Sequence, residues 1–123
     1  MLLGSFGSVL PDYEKALNIL RELYGEQHED IATLLESIGW FYGERTDFQH
    51  ALEYSQKALA LHQLLHGERH PQIAHSLANI GTWYLELGDL QRAAKYSEQA
   101  LTMRRELFGP IHPDVAVPHA KIV

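Results

Sequence analysis

Apolar residues recur along this chain at intervals of three and four positions, the spacing that places side chains on one face of an α-helix. One series is Ile73, Leu77, Ile80, Tyr84 and Leu87, and an earlier one is Ile31, Leu35, Ile38 and Tyr42. Each series predicts a helix of about 17 residues. After a break at Thr46-Asp47 or Gly88-Asp89 the helical spacing restarts, and it predicts a second helix of about 18 residues in each case.

A short motif separates each predicted pair of helices from the next. It occurs as YGEQHEDIA at 24–32, HGERHPQIA at 66–74 and FGPIHPDVA at 108–116, and in each copy a histidine follows a glycine three residues later. Glycine just past a helix end adopts the left-handed backbone that closes the helix, and proline at a first helical position loses no hydrogen bond. The motif therefore predicts a turn between helices, and the two helices between successive motifs form an antiparallel hairpin.

The two complete hairpins are copies of one another. Residues 24–65, laid over residues 66–107 without a gap, share about eighteen identical residues in forty-two positions. The shared residues include Gly39 and Gly81 in the middle of a predicted helix, where glycine costs about 1 kcal/mol relative to alanine. We expect close packing of the two helices of a hairpin to offset this cost. The small residues expected at this contact are Ala51, Ala58, Ala93 and Ala100.

Composition and charge narrow the classes of partner. Hydrophobic residues make up 46% and charged residues 21% of the chain, which is the composition of a folded domain. The net charge of −6 repels phosphates and anionic lipids, so we predict no nucleic-acid and no membrane partner. The chain has no cysteine and no apolar run near the about 18 residues of a membrane span. These features predict a cytoplasmic protein.

The repeated residues resemble the tetratricopeptide repeat, in which a large apolar residue, a pair ending in glycine, a tyrosine and spaced small residues follow in order. The matching residues are Leu77, Ile80-Gly81, Tyr84, Gly88-Asp89, Ala93, Tyr96 and Ala100-Leu101, and earlier Leu35, Ile38-Gly39, Tyr42, Asp47, Ala51, Tyr54 and Ala58-Leu59. The period of about forty-two rather than about thirty-four residues, with its Gly-x2-His-Pro turn, is similar to the kinesin light chain and nephrocystin-3 type. The resemblance implies an all-α, right-handed superhelical solenoid of antiparallel helix hairpins that serves as a protein-interaction scaffold.

The resemblance covers nearly the whole chain as a single domain of about 2.5 repeats. The expected units are the second helix of a partial repeat at 6–23, full repeats at 24–65 and 66–107, and the start of a further first helix at 108–123. Solenoid repeats bury apolar faces against neighbours, and terminal repeats normally carry a polar cap. Apolar residues instead remain near both ends, at Phe6, Leu10, Ile19, Val115 and Ile122. Either the chain is a piece of a longer array, or its ends pair with another copy in a homo-oligomer, and the two are compatible.

The resemblance also implies that the first helices line a concave face on which an extended peptide lies. The candidate peptide-binding residues are Thr33, Glu36, Ser37, Trp40 and Glu44 in one unit and His75, Asn79, Thr82 and Glu86 in the next. Trp40 offers a large contact area, and the Asn79 amide can both donate to and accept from a peptide backbone. The alternative is that Trp40 only packs against the neighbouring first helix and that Asn79 is a solvated surface residue. The aromatic residues expected in the core are Phe41, Tyr42, Trp83 and Tyr84.

The charge of this face favours one kind of peptide. Family members that clamp a C-terminal carboxylate need lysine or arginine on the first helices. Arg45 is the basic residue at the end of the first such helix, and residues 70–89 contain no lysine or arginine, whereas Glu36, Glu44 and Glu86 are acidic. A basic or apolar peptide or protein segment is therefore favoured over an acidic one. Assembly of copies through uncapped terminal helices is the competing function.

Eight histidines raise the question of a metal site. His62 and His66 lie four residues apart, a spacing at which two imidazoles can share zinc, but no carboxylate or cysteine completes a convincing set in the sequence. The repeated His28, His70 and His112 suit a structural role, such as capping the free amides of the next helix. We therefore predict no metal site and no cofactor. No nucleophile with a partnered base and no phosphate-binding loop is found, which predicts a protein that is not an enzyme.

Overall fold

The computed structural model describes residues 2–109, and the side chains from residue 12 onward. This part of the chain consists of the helices α1 (Leu2–Tyr24), α2 (Glu29–Glu44), α3 (Phe48–His66), α4 (Pro71–Glu86) and α5 (Leu90–Phe108). Each helix packs against the next one along the chain, most closely within the pairs α2/α3 and α4/α5. The predicted all-α fold is confirmed. Nearly all of the segment 108–123 lies outside the described residues.

Histidine side chains cap two of the helices. His28 precedes α2, and its Nδ1 atom accepts a hydrogen bond of 3.0 Å from the backbone N–H of Asp30. His70 precedes α4, and its Nδ1 atom accepts a bond of 3.1 Å from the backbone N–H of Gln72. Each bond satisfies one of the amides that the first helical turn leaves without a partner. The predicted capping role is thus confirmed for both histidines, while His112 lies outside the described residues.

Glycine ends the helix that precedes each turn between hairpins. Gly25, Gly67 and Gly109 follow α1, α3 and α5 with φ angles of 82°, 83° and 87°. A side chain is strained in this left-handed conformation, which glycine adopts freely. The shorter turns inside the hairpins also contain a residue with positive φ, Thr46 at 63° and Gly88 at 87°, and the carboxylates of Asp47 and Asp89 cap α3 and α5. The two kinds of turn therefore differ in the residue that caps the next helix, which is aspartate within hairpins and histidine between them.

The mid-helix glycines lie where the helices of each hairpin approach most closely. A Cβ atom at Gly39 would lie 3.2 Å from the carbonyl oxygen of Ala51 and 3.2 Å from Oγ of Ser55. A Cβ atom at Gly81 would lie 2.8 Å from Oγ of Ser97. The four alanines expected at this contact, Ala51, Ala58, Ala93 and Ala100, are all buried. Close packing therefore explains the glycines, as predicted.

Apolar residues from consecutive helices form three connected clusters. The first comprises Leu17, Ile31, Leu35, Ile38 and Ala58, the second Ala51, Leu52, Ile80 and Trp83, and the third Ile73, Leu77 and Ala100. The second cluster joins the two hairpins, because it contains residues of both α3 and α4. Of the aromatic residues predicted in the core, Phe41 and Trp83 are buried, whereas Tyr42 and Tyr84 are half-buried.

Large apolar side chains are exposed on the first and last described helices. Ile19 and Leu23 are exposed on α1, and Leu101 and Phe108 on α5. The sequence also has apolar residues near its ends at Phe6, Leu10, Val115 and Ile122. Their side chains lie outside the part of the chain whose side chains are described. None of the helices in residues 2–109 combines the length and hydropathy needed to cross a membrane.

Candidate functional site

A groove of about 530 Å³ runs along α2 between α1 and α4. We call it the α2 groove. It is lined by Tyr13, Thr33, Glu36, Ser37, Trp40, Phe41, Glu44, Arg45, His62, Gln72 and His75. Six of the nine predicted peptide-binding residues are in this set, and Asn79, Thr82 and Glu86 are not. The groove thus follows α2 from Thr33 to its C-terminal end and includes residues only from the beginning of α4.

Trp40 has both a packed and an open side. Its ring meets the ring of Trp83 edge to face, with centroids 4.7 Å apart and an interplanar angle of 67°. Its side chain nevertheless remains 40% exposed, and it lines the α2 groove. Edge-to-face contact is a favoured aromatic arrangement, so the buried Trp83 ring fixes the orientation of the exposed one. A rigid aromatic surface costs little conformational entropy when a ligand covers it.

Arg45 is held at the C-terminal end of α2. Its guanidinium carbon lies 3.9 Å from the centroid of the Phe41 ring, and its Nη1 atom donates a bond of 3.1 Å to the Phe41 carbonyl oxygen. A cation at this position interacts favourably with the negative end of the helix dipole. The guanidinium is therefore engaged at the helix end by the Phe41 ring and carbonyl.

Glu36 and Asn79 form a buried polar contact between α2 and α4. Oε1 of Glu36 accepts a bond of 2.9 Å from Nδ2 of Asn79, and Oε2 accepts a bond from the Ser76 hydroxyl. A buried carboxylate needs such partners, because removal from water disfavours the charged form. Asn79 is only 5% exposed. The expectation of an accessible Asn79 amide, whether bound to a peptide or solvated, is therefore not met.

The remaining predicted residues are at the surface or bonded within their own helix. Thr33 and His75 are exposed in the α2 groove, and Glu86 is exposed at the end of α4. The Ser37 hydroxyl donates to the Thr33 carbonyl, and the Thr82 hydroxyl donates to the carbonyl one turn before it. Peptide binding by these residues stays a prediction.

A histidine and carboxylate cluster lies where α3 meets the start of α2. Oε1 of Glu29 lies 2.7 Å from Nε2 of His66 and 3.7 Å from Nδ1 of His62. His62 is only 1% exposed, and within the part of the chain that the structure describes neither of its ring nitrogens has a hydrogen-bond partner. Burial lowers the pKa of His62, against the opposing effect of the Glu29 carboxylate. Burial therefore disfavours the charged form of this imidazole, which also lines the α2 groove.

Glu29 was not among the predicted residues, because it lies 37 residues from His66. The comparison of the two repeats nevertheless singles out Glu29, His62 and His66, because none of the three is kept one period later. The positions that correspond to Glu29, His62 and His66 one period later are Pro71, Arg104 and Phe108. The cluster therefore belongs to one repeat alone, unlike the capping histidines His28 and His70, which occupy the same position in both repeats.

The fold and the repeated residues define the class of this protein. A family model described as tetratricopeptide repeat matches residues 3–63 and 41–106. The chain belongs to the tetratricopeptide repeat family.

A solved structure supports the same assignment. The crystal structure of BtubC (BKLC) from P. vanneervenii, a kinesin light chain-like repeat protein, superposes with a TM-score of 0.78 at 27% sequence identity. The match covers 99% of this chain and 48% of BtubC, so this chain spans about half the length of that protein. No curated protein matches the chain. The predicted kinesin light chain-like type and the predicted solenoid of helix hairpins are confirmed.

Proposed function

We propose that this chain is a non-enzymatic scaffold that binds a peptide or protein segment in the α2 groove. Tetratricopeptide repeats are typical of protein-interaction scaffolds, which supports the general class. The observation that carries the specific proposal is Trp40, whose ring is oriented by Trp83 yet open to the groove. Tryptophan is enriched among the few residues that supply most of the binding energy at interfaces. A ligand that covers this ring would gain apolar contact and a hydrogen-bond donor in one place.

The electrostatics of the groove support a basic or apolar segment. Glu44 is exposed in the groove, and Glu86 is exposed at the far end of α4. Arg45, the cation at the end of α2, already contacts the Phe41 ring and carbonyl. A lysine or arginine side chain would complement the exposed carboxylates, whereas an acidic segment would meet like charge.

The same charges argue against other classes of partner. The net charge of −6 repels nucleic-acid phosphates and anionic lipid surfaces, so neither is part of the proposal.

A chain without cysteine needs no oxidising compartment, and this supports a cytoplasmic location.

Replacement of Trp40 by alanine should weaken binding without unfolding the chain. Peptides selected from a random displayed library on the wild-type chain would be titrated against each variant by calorimetry. We expect Trp40→Ala to raise the Kd at least about tenfold, as for a residue at the centre of an interface. Selected peptides should be enriched in lysine, arginine or apolar residues. The matched control is Phe108→Ala, which removes an exposed aromatic ring on α5 outside the groove. Equal affinity in the two variants would contradict the proposal.

A second candidate function is assembly through the outer helices. It is favoured by the exposed Ile19 and Leu23 on α1 and by the exposed Leu101 and Phe108 on α5. Light scattering over a hundredfold concentration range should then show a mass above that of one chain, and Ile19→Asp should lower it. A monomer at every concentration would exclude this candidate, and groove binding would be unaffected.

A further inference from the structure

Glu29, His62 and His66 form a compact set of metal-ligand atoms. Each side chain offers one such atom, and the three atoms lie within 4.8 Å of one another. His62 and His66 are one turn apart on α3 and hold their rings at an interplanar angle of 20°. Glu29, the first residue of α2, reaches the same point from the neighbouring helix. We propose that these three residues bind a divalent transition-metal ion of the zinc class.

The spacing of the ligand atoms suits such an ion. Zinc holds nitrogen and oxygen ligands at about 2.0–2.2 Å in a tetrahedral arrangement, which places neighbouring ligand atoms about 3.3 Å apart. The distances from Oε1 of Glu29 to Nε2 of His66 and Nδ1 of His62 are 2.7 Å and 3.7 Å. Both differ from the tetrahedral spacing by less than 1 Å, and the two imidazole nitrogens lie within 4.8 Å of each other. Two imidazoles and one carboxylate favour zinc, cobalt or nickel over calcium or magnesium, which prefer oxygen ligands.

His62 supplies the second observation, because its environment gives the buried ring no polar partner. Buried polar atoms in folded proteins almost always have a hydrogen-bond partner, yet neither nitrogen of this 1% exposed side chain has one among the described residues. A metal ion bound at Nδ1 would supply that partner. The Glu36 carboxylate adds a second nearby negative charge, which favours a cation at this place.

The fold does not require histidine at these positions. In the preceding helix of the solenoid, the positions that correspond to His62 and His66 are Leu20 and Tyr24, and in the following one they are Arg104 and Phe108. The repeat therefore does not require histidine at these positions, and in α1 the apolar Leu20 occupies the position of His62. The partial exposure of Glu29 and His66, at 39% and 24% of their side chains, leaves a route by which an ion reaches the site.

The test is titration of zinc into the untagged, chelator-treated chain, followed by calorimetry. We expect one ion per chain and a rise in melting temperature on addition of zinc, because an ion that binds only the folded state stabilises it. His62→Leu installs the residue that α1 carries at the corresponding position, so it should fold while it loses at least about tenfold in zinc affinity. Glu29→Gln keeps the shape of the side chain but removes its charge, so it should also weaken zinc binding.

A surface histidine provides the control. His50→Ala removes an exposed imidazole on α3 outside both the cluster and the α2 groove and should leave zinc affinity unchanged. Cobalt gives an independent readout, because its visible absorption reports tetrahedral coordination, and this spectrum should be absent from His62→Leu. The proposal is overturned if the wild-type chain binds no stoichiometric ion, or if the folded His62→Leu variant binds zinc as tightly as the wild-type chain.

Discussion

Replacement of Trp83 by alanine is expected to lower the free energy of unfolding by about 3–5 kcal/mol, the range for a large aromatic residue in a core. Trp83 is 2% exposed and lies at the junction of the two hairpins. Its Nε1 atom donates a bond of 2.8 Å to Oγ of Ser55, and its ring stacks on Phe48 with centroids 6.1 Å apart. The variant would leave both a cavity and a buried hydroxyl without its donor. Urea unfolding followed by circular dichroism measures the loss.

Trp40→Ala is the matched control for this prediction. Trp40 is also a tryptophan and contacts Trp83 edge to face. It is 40% exposed, however, so its removal leaves no buried cavity of the same size. The edge-to-face contact itself is worth about 0.5–1.5 kcal/mol, so the loss should be clearly smaller than for Trp83→Ala. Equal losses in the two variants would contradict the assignment of Trp83 to the core and Trp40 to the groove.

Replacement of Gly43 by leucine is expected to cost about 3 kcal/mol, near the upper end of the usual range for overpacking. A Cβ atom at this position would lie 2.2 Å from the ring atom Cη2 of Trp83. The ring has little room to move, because Ser55 and Phe48 hold it from α3. Thermal and urea unfolding of the variant would show the loss directly.

A double-mutant cycle separates this clash from other effects of leucine. In a Trp83→Leu background the ring is gone, so the further cost of Gly43→Leu should be much smaller than in the wild-type chain. Glu44→Leu changes the neighbouring exposed position and should be nearly neutral. An undiminished cost in the Trp83→Leu background would show that the ring is not what excludes a side chain from position 43.

Local and repeated features of the fold were predictable from the sequence. The apolar spacing placed the helices, and the observed lengths of 16 and 19 residues are close to those predicted. The capping of α2 and α4 by His28 and His70 was predictable because the motif recurs at each turn. The same holds for Gly39 and Gly81, whose contacts lie within a hairpin and repeat with it.

Contacts between hairpins were not predictable in the same way, because each occurs once and joins residues distant in sequence. Glu36 and Asn79 lie 43 residues apart, and nothing near either residue indicates the other. Gly43 corresponds to Leu85 in the next repeat, so the repeat itself does not require glycine at this position. Glycine is needed at position 43 because the Trp83 ring lies against it. The contact of Glu29 with His62 and His66 lies within one hairpin, but its residues do not recur in the next repeat. These positions are the ones at which the residue differs between the two repeats, such as Glu29, Gly43 and His62.

The groove hypothesis is tested most directly by mapping where a selected peptide binds. The measurement is nuclear magnetic resonance of the nitrogen-15-labelled chain during titration with that peptide. Binding in the α2 groove should produce large shifts of the Trp40 indole N–H and of backbone amides along the groove, such as those of Ser37 and Glu44. Shifts confined to the outer faces of α1 or α5, with the Trp40 signal unmoved, would contradict it.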